Sequence, residues 1–178
     1  MKALLIIDIQ NDYFPGWANE QVGALAALAN AESALRLFRE RNLPVIHLQH
    51  LNLPEASFFK PGTEGAEIRE ELKPIEGETH IVKYFPNGFM GTGLEELLLK
   101  EGIGELAVCG MMTHMCVDTT VRAAKERSIE ITLLSDACAT KDLSFDGVEV
   151  PAAQVQAAYL SALGTAFATV IKTGELAL

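Results

Sequence analysis

The chain has 178 residues, 49% of them hydrophobic, and a formal net charge of −10 at pH 7. This length suffices for a substantial core, and we expect a single domain over residues 1–178. The acidic balance argues against non-specific nucleic-acid binding, which needs a basic surface, and no apolar run approaches the roughly 20 residues that span a bilayer.

The cysteines and the N-terminus indicate the compartment. Three cysteines, with no spacing typical of zinc ligands, fit a reducing compartment better than a disulfide framework. The first residues lead directly into an apolar strand that ends at Asp8, which is unlike a secretory signal peptide. We therefore expect a cytoplasmic protein that binds a small molecule and neither a membrane nor nucleic acid.

Predicted strands and helices alternate along the chain. Apolar runs predict strands that end at residue 8, at 45–49, directly before residue 83, and at 105–109, 129–134 and 166–171. Helical spacing predicts helices at 21–41, 94–100, 113–127 and 150–163. Such alternation predicts a parallel sheet with helices on both faces, joined by right-handed crossovers.

Three reactive side chains follow predicted strands at the point where each strand ends. Asp8 and Lys83 close two apolar runs, and Cys116 follows the strand that exits at Gly110. Because ligands bind beyond the carboxyl ends of parallel strands, chemistry is expected at these positions. Taken singly, each residue has an ordinary alternative: a turn-capping carboxylate, a solvated lysine and a small buried cysteine.

Cys116 falls at the start of a predicted helix, for which Thr113 is a candidate N-cap. Unpaired N–H groups in a first turn carry the positive end of the helix dipole, which lowers the pKa of a thiol and can hold an oxyanion. We therefore expect Cys116 to be stabilised as a thiolate nucleophile. Cys109 and Cys138 lie in or after apolar strands and are interpreted as packing residues.

Three motifs occur in order along nearly the whole chain. They are Asp-x-Gln at Asp8 and Gln10, a lysine followed by Asn-Gly-Phe at Lys83 and 87–89, and Gly-x-x-Thr-x-x-Cys-Val at 110–117. In this combination the chain resembles the isochorismatase-like cysteine hydrolases, the superfamily that includes nicotinamidases and several other amidases. The resemblance implies an α/β fold, a three-layer α/β/α sandwich with a six-stranded, mainly parallel sheet. It also implies a homo-oligomer, since members are commonly dimers or larger.

The resemblance further implies a catalytic triad of Asp8, Lys83 and Cys116. It implies a cis peptide bond between Met111 and Met112, and an oxyanion hole formed by the N–H groups of Met112 and Cys116. Independently of the family, a lysine between a carboxylate and a thiol stabilises both anions, and the carboxylate can take and return the thiol proton. These residues would form a thioester with the substrate and hydrolyse it with water.

Eight side chains are predicted to contact the substrate, because they lie near the triad in sequence, within the matching motifs or at the end of the second predicted strand. They are Gln10, Tyr13, Phe14, His50, Asn52, Phe85, Asn87 and Phe89. The aromatic members would make an apolar pocket wall, and core packing explains them equally well.

No metal or other cofactor is predicted. Nicotinamidases of the superfamily bind a divalent metal through an Asp-x-His motif after the second strand, where this chain has His50, Leu51 and Asn52. A carboxylate is missing there, and His47 and His50 would point to opposite faces of a regular strand. We expect His50 and Asn52 to contact the substrate or each other.

Residues 51–78 form a segment too long for an ordinary connection, punctuated by proline and glycine. A short helix at 66–72 is predicted to interrupt it. In the superfamily this segment walls the pocket and often meets a neighbouring subunit, so Phe58 and Phe59 are candidates for either role. Ordinary packing onto the domain is the alternative.

The sequence thus predicts a cysteine hydrolase that cleaves a carbon–nitrogen bond of a small amide. Two alternatives remain open. One is an isochorismatase-type hydrolase of a non-amide bond, which does not need the cysteine. The other is a catalytically silent binding protein on the same scaffold.

Overall fold

The computed structural model describes residues 1–178 and contains eight strands. In chain order they are β1 (Lys2–Ile7), β2 (Val45–His50), β3 (Thr79–Lys83), β4 (Glu105–Met111), β5 (Glu130–Ala139), β6 (Leu143–Phe145), β7 (Val148–Val150) and β8 (Thr169–Ile171). Six of them form one sheet in the order β3-β2-β1-β4-β5-β8, with every neighbouring pair parallel. The other two, β6 and β7, form an antiparallel hairpin.

Four α-helices cover the two faces of the sheet. They are α1 (Ala24–Glu40), α2 (Leu94–Lys100), α3 (Asp118–Glu126) and α4 (Ala152–Ala166). Helix α1 packs with Leu4 and Ile6 of β1 on one face, whereas the other three helices share the second face with Leu5 and Ile7. Alternate residues of β1 thus enter two different cores, which explains why its sequence is apolar from Ala3 to Ile7. The predicted three-layer α/β/α sandwich is confirmed.

The direction in which strands are added to the sheet reverses at β1. The chain runs outward from β1 to β2 and β3, then returns to β4 on the other side of β1 and continues to β5 and β8. Ligands of open α/β sheets bind beyond the carboxyl ends of the strands at such a reversal. The crevice beyond the ends of β1 and β4 is therefore where chemistry is expected.

Gly110, the next-to-last residue of β4, brings these two strand ends close together. It has a φ of 140°, and a Cβ built on it would overlap the carbonyl oxygen of Ile7. Glycine allows this approach because it has no side chain. The backbone exit predicted at Gly110 is thus also a point of close packing between β4 and β1.

Three elements differ from the sequence prediction. Residues 66–72 do not form a helix; two 3₁₀ turns, Glu64–Ala66 and Glu70–Leu72, lie there instead. The helix predicted at 113–127 is a π-helical turn, Thr113–Val117, followed by α3. The β6–β7 hairpin was not predicted, although its Asp146-Gly147 turn is a sequence typical of hairpins. None of the helices combines the length and the apolar composition needed to cross a membrane.

Candidate active site

Three of the predicted side chains meet beyond this edge of the sheet. Asp8 directly follows β1, Lys83 is the last residue of β3, and Cys116 lies in the π-helical turn after β4. The Nζ of Lys83 is 2.6 Å from Oδ2 of Asp8 and 3.3 Å from Sγ of Cys116. All three residues are buried, with at most 5% of their surface exposed. The strand ends therefore bring a carboxylate, an ammonium and a thiol into direct contact.

The Lys83 ammonium is the centre of this cluster. It also donates to Nδ1 of His50 at 2.9 Å and to the carbonyl oxygen of Phe85 at 3.2 Å. Burial by itself lowers the pKa of Lys83, but Asp8 and Cys116 outweigh burial and leave that pKa above its ordinary value. The side chain is therefore a fixed cation inside the site.

Asp8 presents its carboxylate to this ammonium from an uncommon backbone conformation. Its φ is 51°, in the left-handed region that few residues other than glycine, asparagine and aspartate adopt. Apart from the ammonium beside Oδ2 and the thiol of Cys116, no donor reaches the carboxylate oxygens. The thiol is therefore placed where it can give its proton to Asp8.

Burial is the largest influence on the Cys116 thiol, and it raises the pKa. The Asp8 carboxylate raises this pKa further, and the Lys83 ammonium only partly opposes the two. The resting sulfur is therefore a protonated thiol, and the predicted stabilisation of a thiolate is wrong in direction.

The local structure around Cys116 also differs from the prediction. Cys116 lies within the π-helical turn Thr113–Val117, before α3 begins, rather than in the first turn of the helix. Thr113 is also not an N-cap, because its hydroxyl donates to the carbonyl oxygen of Ala139. The start of the helical segment therefore does not lower the pKa of Cys116, because burial and the Asp8 carboxylate dominate.

His50 and Asn52 contact each other, which is one of the two outcomes predicted for them. Because an ammonium can only donate, Nδ1 of His50 must accept from Lys83, and Nε2 then carries the proton that it donates to Oδ1 of Asn52 at 3.0 Å. Burial and the neighbouring Lys83 lower the pKa of His50 below its ordinary value. The ring is therefore neutral at neutral pH, with a defined tautomer.

Three of these acceptors resemble a metal-binding set. One ligand atom each from Asp8, His50 and Cys116 lies within 4.8 Å of the other two. The Lys83 ammonium, however, contacts all three at 2.6 to 3.3 Å and takes the position that an ion would need. His47 is not part of this set, because its Nε2 pairs with Glu78 at 2.9 Å. The arrangement fits an ammonium-centred cluster rather than a metal centre.

A cavity of about 200 Å³ opens onto Cys116. Its other lining residues are Tyr13, His50, Asn52, Phe58, Tyr84, Pro86, Met112 and Met115. This volume is smaller than the roughly 300–1,000 Å³ typical of sites for drug-sized ligands, so the cavity suits a small molecule. Met112 follows a cis peptide bond that joins it to Met111.

Three of the eight predicted substrate contacts line the cavity: Tyr13, His50 and Asn52. Gln10 lies behind it, where its side-chain amide bonds both backbone groups of His50 and the carbonyl oxygen of Ala66. Gln10 therefore anchors the end of β2 instead of facing the cavity.

The other four predicted contacts lie outside the cavity wall. The rings of Phe14 and Phe89 are covered by the guanidinium groups of arginines at 4.7 and 4.6 Å, and both residues are buried. Phe85 contributes its carbonyl oxygen to the Lys83 ammonium while its ring is half exposed. The amide oxygen of Asn87 accepts from the backbone N–H of Phe89 and shapes the turn after β3.

Sequence reasoning missed Tyr84, Pro86 and Met115 as lining residues. The available signal was adjacency, because Tyr84 directly follows Lys83 and Met115 directly precedes Cys116. Of the two candidate phenylalanines of the long segment, Phe58 lines the cavity and Phe59 is fully buried beneath it.

Comparison with known proteins agrees with this geometry. The Isochorismatase domain family matches residues 2–175. The uncharacterized isochorismatase family protein YddQ of Bacillus subtilis (strain 168) is 48% identical over 97% of this chain and 96% of its own length, and Nicotinamidase 3 of Arabidopsis thaliana is 29% identical over 79% and 74%. The crystal structure of an isochorismatase from Pseudomonas putida KT2440 superimposes with a TM-score of 0.94 at 38% identity, covering 99% of this chain and 90% of that one. This chain therefore belongs to the isochorismatase family of hydrolases.

Proposed function

We propose that this hydrolase cleaves the carbon–nitrogen bond of a small amide through a thioester on Cys116. The observation that carries the proposal is the contact of Sγ with a buried ammonium, 3.3 Å away, that is itself paired with a carboxylate at 2.6 Å. The sulfur lines a cavity of a size that suits a small substrate. The nicotinamidase among its relatives is consistent with amide chemistry.

The first half of the reaction acylates the cysteine. Sγ of Cys116 attacks the amide carbonyl carbon while its proton passes to Asp8, which has a free acceptor oxygen. The carbonyl electrons move to oxygen as the carbon–sulfur bond forms. When the tetrahedral intermediate collapses, the carbon–nitrogen bond breaks, and Asp8 returns the proton to the leaving amine. General-base assistance of this kind is needed because the resting thiol is protonated.

The second half releases the acid. A water molecule gives a proton to Asp8 as its oxygen attacks the thioester carbonyl, and the carbon–sulfur bond then breaks. The thiolate leaving group recovers a proton from Asp8. Lys83 stays protonated throughout and stabilises whichever neighbour, carboxylate or sulfur, is negatively charged.

The developing oxyanion needs donors in the same crevice. We assign this role to the backbone N–H groups of Met112 and Cys116, two residues that line the cavity. Donors of this kind typically contribute about 3 kcal/mol each to lowering the barrier.

The test compares the wild type with Cys116→Ala on a panel of small amides, with mass spectrometry of the intact protein. We expect kcat/KM to fall by at least about 10,000-fold, as expected when an enzyme loses its nucleophile. An acyl adduct should appear on Cys116 of the wild type and not on the variant. Cys138→Ala is the matched control, because Cys138 is a second buried cysteine that does not line the cavity.

Two results would favour the alternatives. Full turnover by Cys116→Ala on a vinyl ether or other non-amide substrate would indicate an isochorismatase-type reaction. Tight binding of an amide with neither turnover nor an adduct would indicate a silent binding protein.

A further inference from the structure

Most polar side chains of the cavity wall already form hydrogen bonds with other groups of the protein. Both ring nitrogens of His50 are used, one by Lys83 and the other by Asn52. The amide of Asn52 also donates to the carbonyl oxygen of Phe58 at 3.1 Å. These groups therefore form a closed hydrogen-bond chain and have little capacity left for a ligand.

Tyr13 is the exception among the buried residues of the wall. Its hydroxyl has no hydrogen bond within the protein, although only 2% of the residue is exposed. The ring packs against Phe59 and Phe58, with centroid distances of 4.5 and 6.1 Å, so its direction is fixed. Burial and the nearby Cys116 raise the pKa of Tyr13 well above its ordinary value, which keeps the hydroxyl protonated.

No cationic side chain lines the cavity. The only ammonium nearby, Lys83, is fully buried behind the wall and already contacts Asp8, His50, Cys116 and the Phe85 carbonyl. An entering carboxylate would lose its hydration without gaining a counter-ion, which is a large penalty. The net charge of the chain, −10, does not offset this desolvation penalty, because it repels a carboxylate.

The remaining wall is apolar. It consists of Phe58, Pro86, Met112, Met115 and the ring of Tyr84. Such a surface stabilises hydrocarbon or aromatic groups by excluding water.

We propose that the substrate is an uncharged carboxamide with a small apolar acyl group, whose amide is held by the Tyr13 hydroxyl, and that carboxylate-bearing amides are rejected. This rests on the amide hydrolysis proposed above and narrows it to one substrate class. Tyr13 acts as a specificity residue at the reacting end, and the apolar wall holds the acyl group.

The test uses matched amides that differ in charge. Butyramide is compared with succinamate and 4-aminobutyramide, and benzamide with 4-carbamoylbenzoate. We expect kcat/KM for each uncharged amide to exceed that of its charged partners by at least about 100-fold. Equal or faster turnover of the carboxylates, with an adduct on Cys116, would overturn the substrate class but leave the proposed thioester chemistry intact. If no amide of either set is hydrolysed or forms an adduct, the proposed function itself fails, and this inference with it.

Two variants sharpen the assignment. Tyr13→Phe should lower kcat/KM for butyramide and benzamide by about 10-fold to 100-fold, and a change of less than twofold would remove Tyr13 from the proposal.

Tyr84→Arg adds a cation at the exposed rim of the cavity. It should raise the ratio of kcat/KM for succinamate to kcat/KM for butyramide by at least about tenfold. Tyr84→Gln removes the same ring without adding a charge, so the ratio in Tyr84→Arg should exceed the ratio in Tyr84→Gln by at least about tenfold. A ratio unmoved by Tyr84→Arg would contradict the view that a missing counter-ion causes the discrimination.

Discussion

The reacting cluster and the cavity wall are built from different kinds of structure. The cluster of Asp8, His50, Lys83 and Cys116 is at least 92% buried at every residue, and three of its members lie at the ends of β1, β2 and β3. Much of the wall comes from loops and turns, and Tyr84 and Met115 expose 62% and 40% of their surface. The strands of the sheet thus hold most of the cluster in place, whereas loops and turns between the strands carry much of the wall.

This structural difference indicates that one set of residues carries out the reaction and another determines which substrate binds. A group held by strands and by direct contacts can keep reacting atoms within a few tenths of an ångström, which catalysis requires. The partly exposed part of the wall, at Tyr84 and Met115, can change without disturbing the core. Substitutions in the cluster should therefore affect both stability and turnover, and substitutions at these exposed wall positions should affect substrate binding alone.

The largest effect is expected for Lys83→Met, which keeps the length of the side chain but removes its charge. Asp8 would remain buried without its counter-ion, so the free energy of unfolding should fall by about 3–5 kcal/mol. Turnover should fall by at least about 1,000-fold, because the variant loses the electrostatic stabilisation of both anions. Urea unfolding and kcat/KM on the best small amide measure the two effects.

The double variant Asp8→Asn with Lys83→Met is the control for this prediction. Replacing both charges of a buried pair is often neutral for stability, so most of the lost free energy of unfolding should return. Turnover should stay as low as in the single variant. A double variant as unstable as Lys83→Met would show that packing, rather than the ion pair, stabilises this part of the site.

The positions of the reacting groups could be predicted from sequence because each follows a local pattern. Asp8 and Lys83 close short apolar runs, and Gly110 marks the end of the strand before Cys116. The parallel sheet then brings these strand ends together without further information. The pKa of Cys116 could not be predicted in this way, because its direction depends on burial by segments remote in sequence.

The cavity wall was harder to predict for a related reason. Neighbouring residues after β3 point in different directions, so Tyr84 lines the cavity while Phe85 contributes only its carbonyl oxygen to the site. Phe58 lies in a segment with no helical or strand periodicity that would define its path. Orientation in loops depends on tertiary contacts, and of the four aromatic side chains that residue type favoured, Tyr13 alone lines the cavity.

An intermediate effect is expected for His50→Leu, because His50 contacts both regions. The variant removes one acceptor from the Lys83 ammonium, and a hydrogen bond to a charged group is worth about 1.5–3 kcal/mol, so kcat should fall by about 10-fold to 100-fold. KM should change little, because leucine preserves an apolar surface at the wall.

The pH profile distinguishes this positioning role from a packing role. Burial and Lys83 lower the pKa of His50, so the neutral ring accepts from Lys83 at neutral pH, and the contact is lost as the pH falls through that pKa, below 6.5. In the wild type kcat should therefore decline on the acidic side, and in His50→Leu this decline should move to lower pH. His80→Leu is the matched control, because His80 is exposed and bonds only Gln49, and its profile should match the wild type. An unchanged acidic limb in His50→Leu would contradict the role.

The smallest effect is expected for Met115→Ala, which trims the wall directly beside the nucleophile in sequence. Met115 is 40% exposed, so the free energy of unfolding should change by less than about 0.5 kcal/mol. Each methylene that the substrate fully buries against the wall contributes about 0.8 kcal/mol to binding. Because the variant removes part of a half-buried apolar side chain, KM for an amide with an apolar acyl group should rise by about twofold to tenfold. Leu53→Ala, at a more exposed position outside the cavity, should change neither quantity. If kcat fell in Met115→Ala as far as in His50→Leu, the wall would be part of the reacting cluster, and the separation between chemistry and selection would not hold.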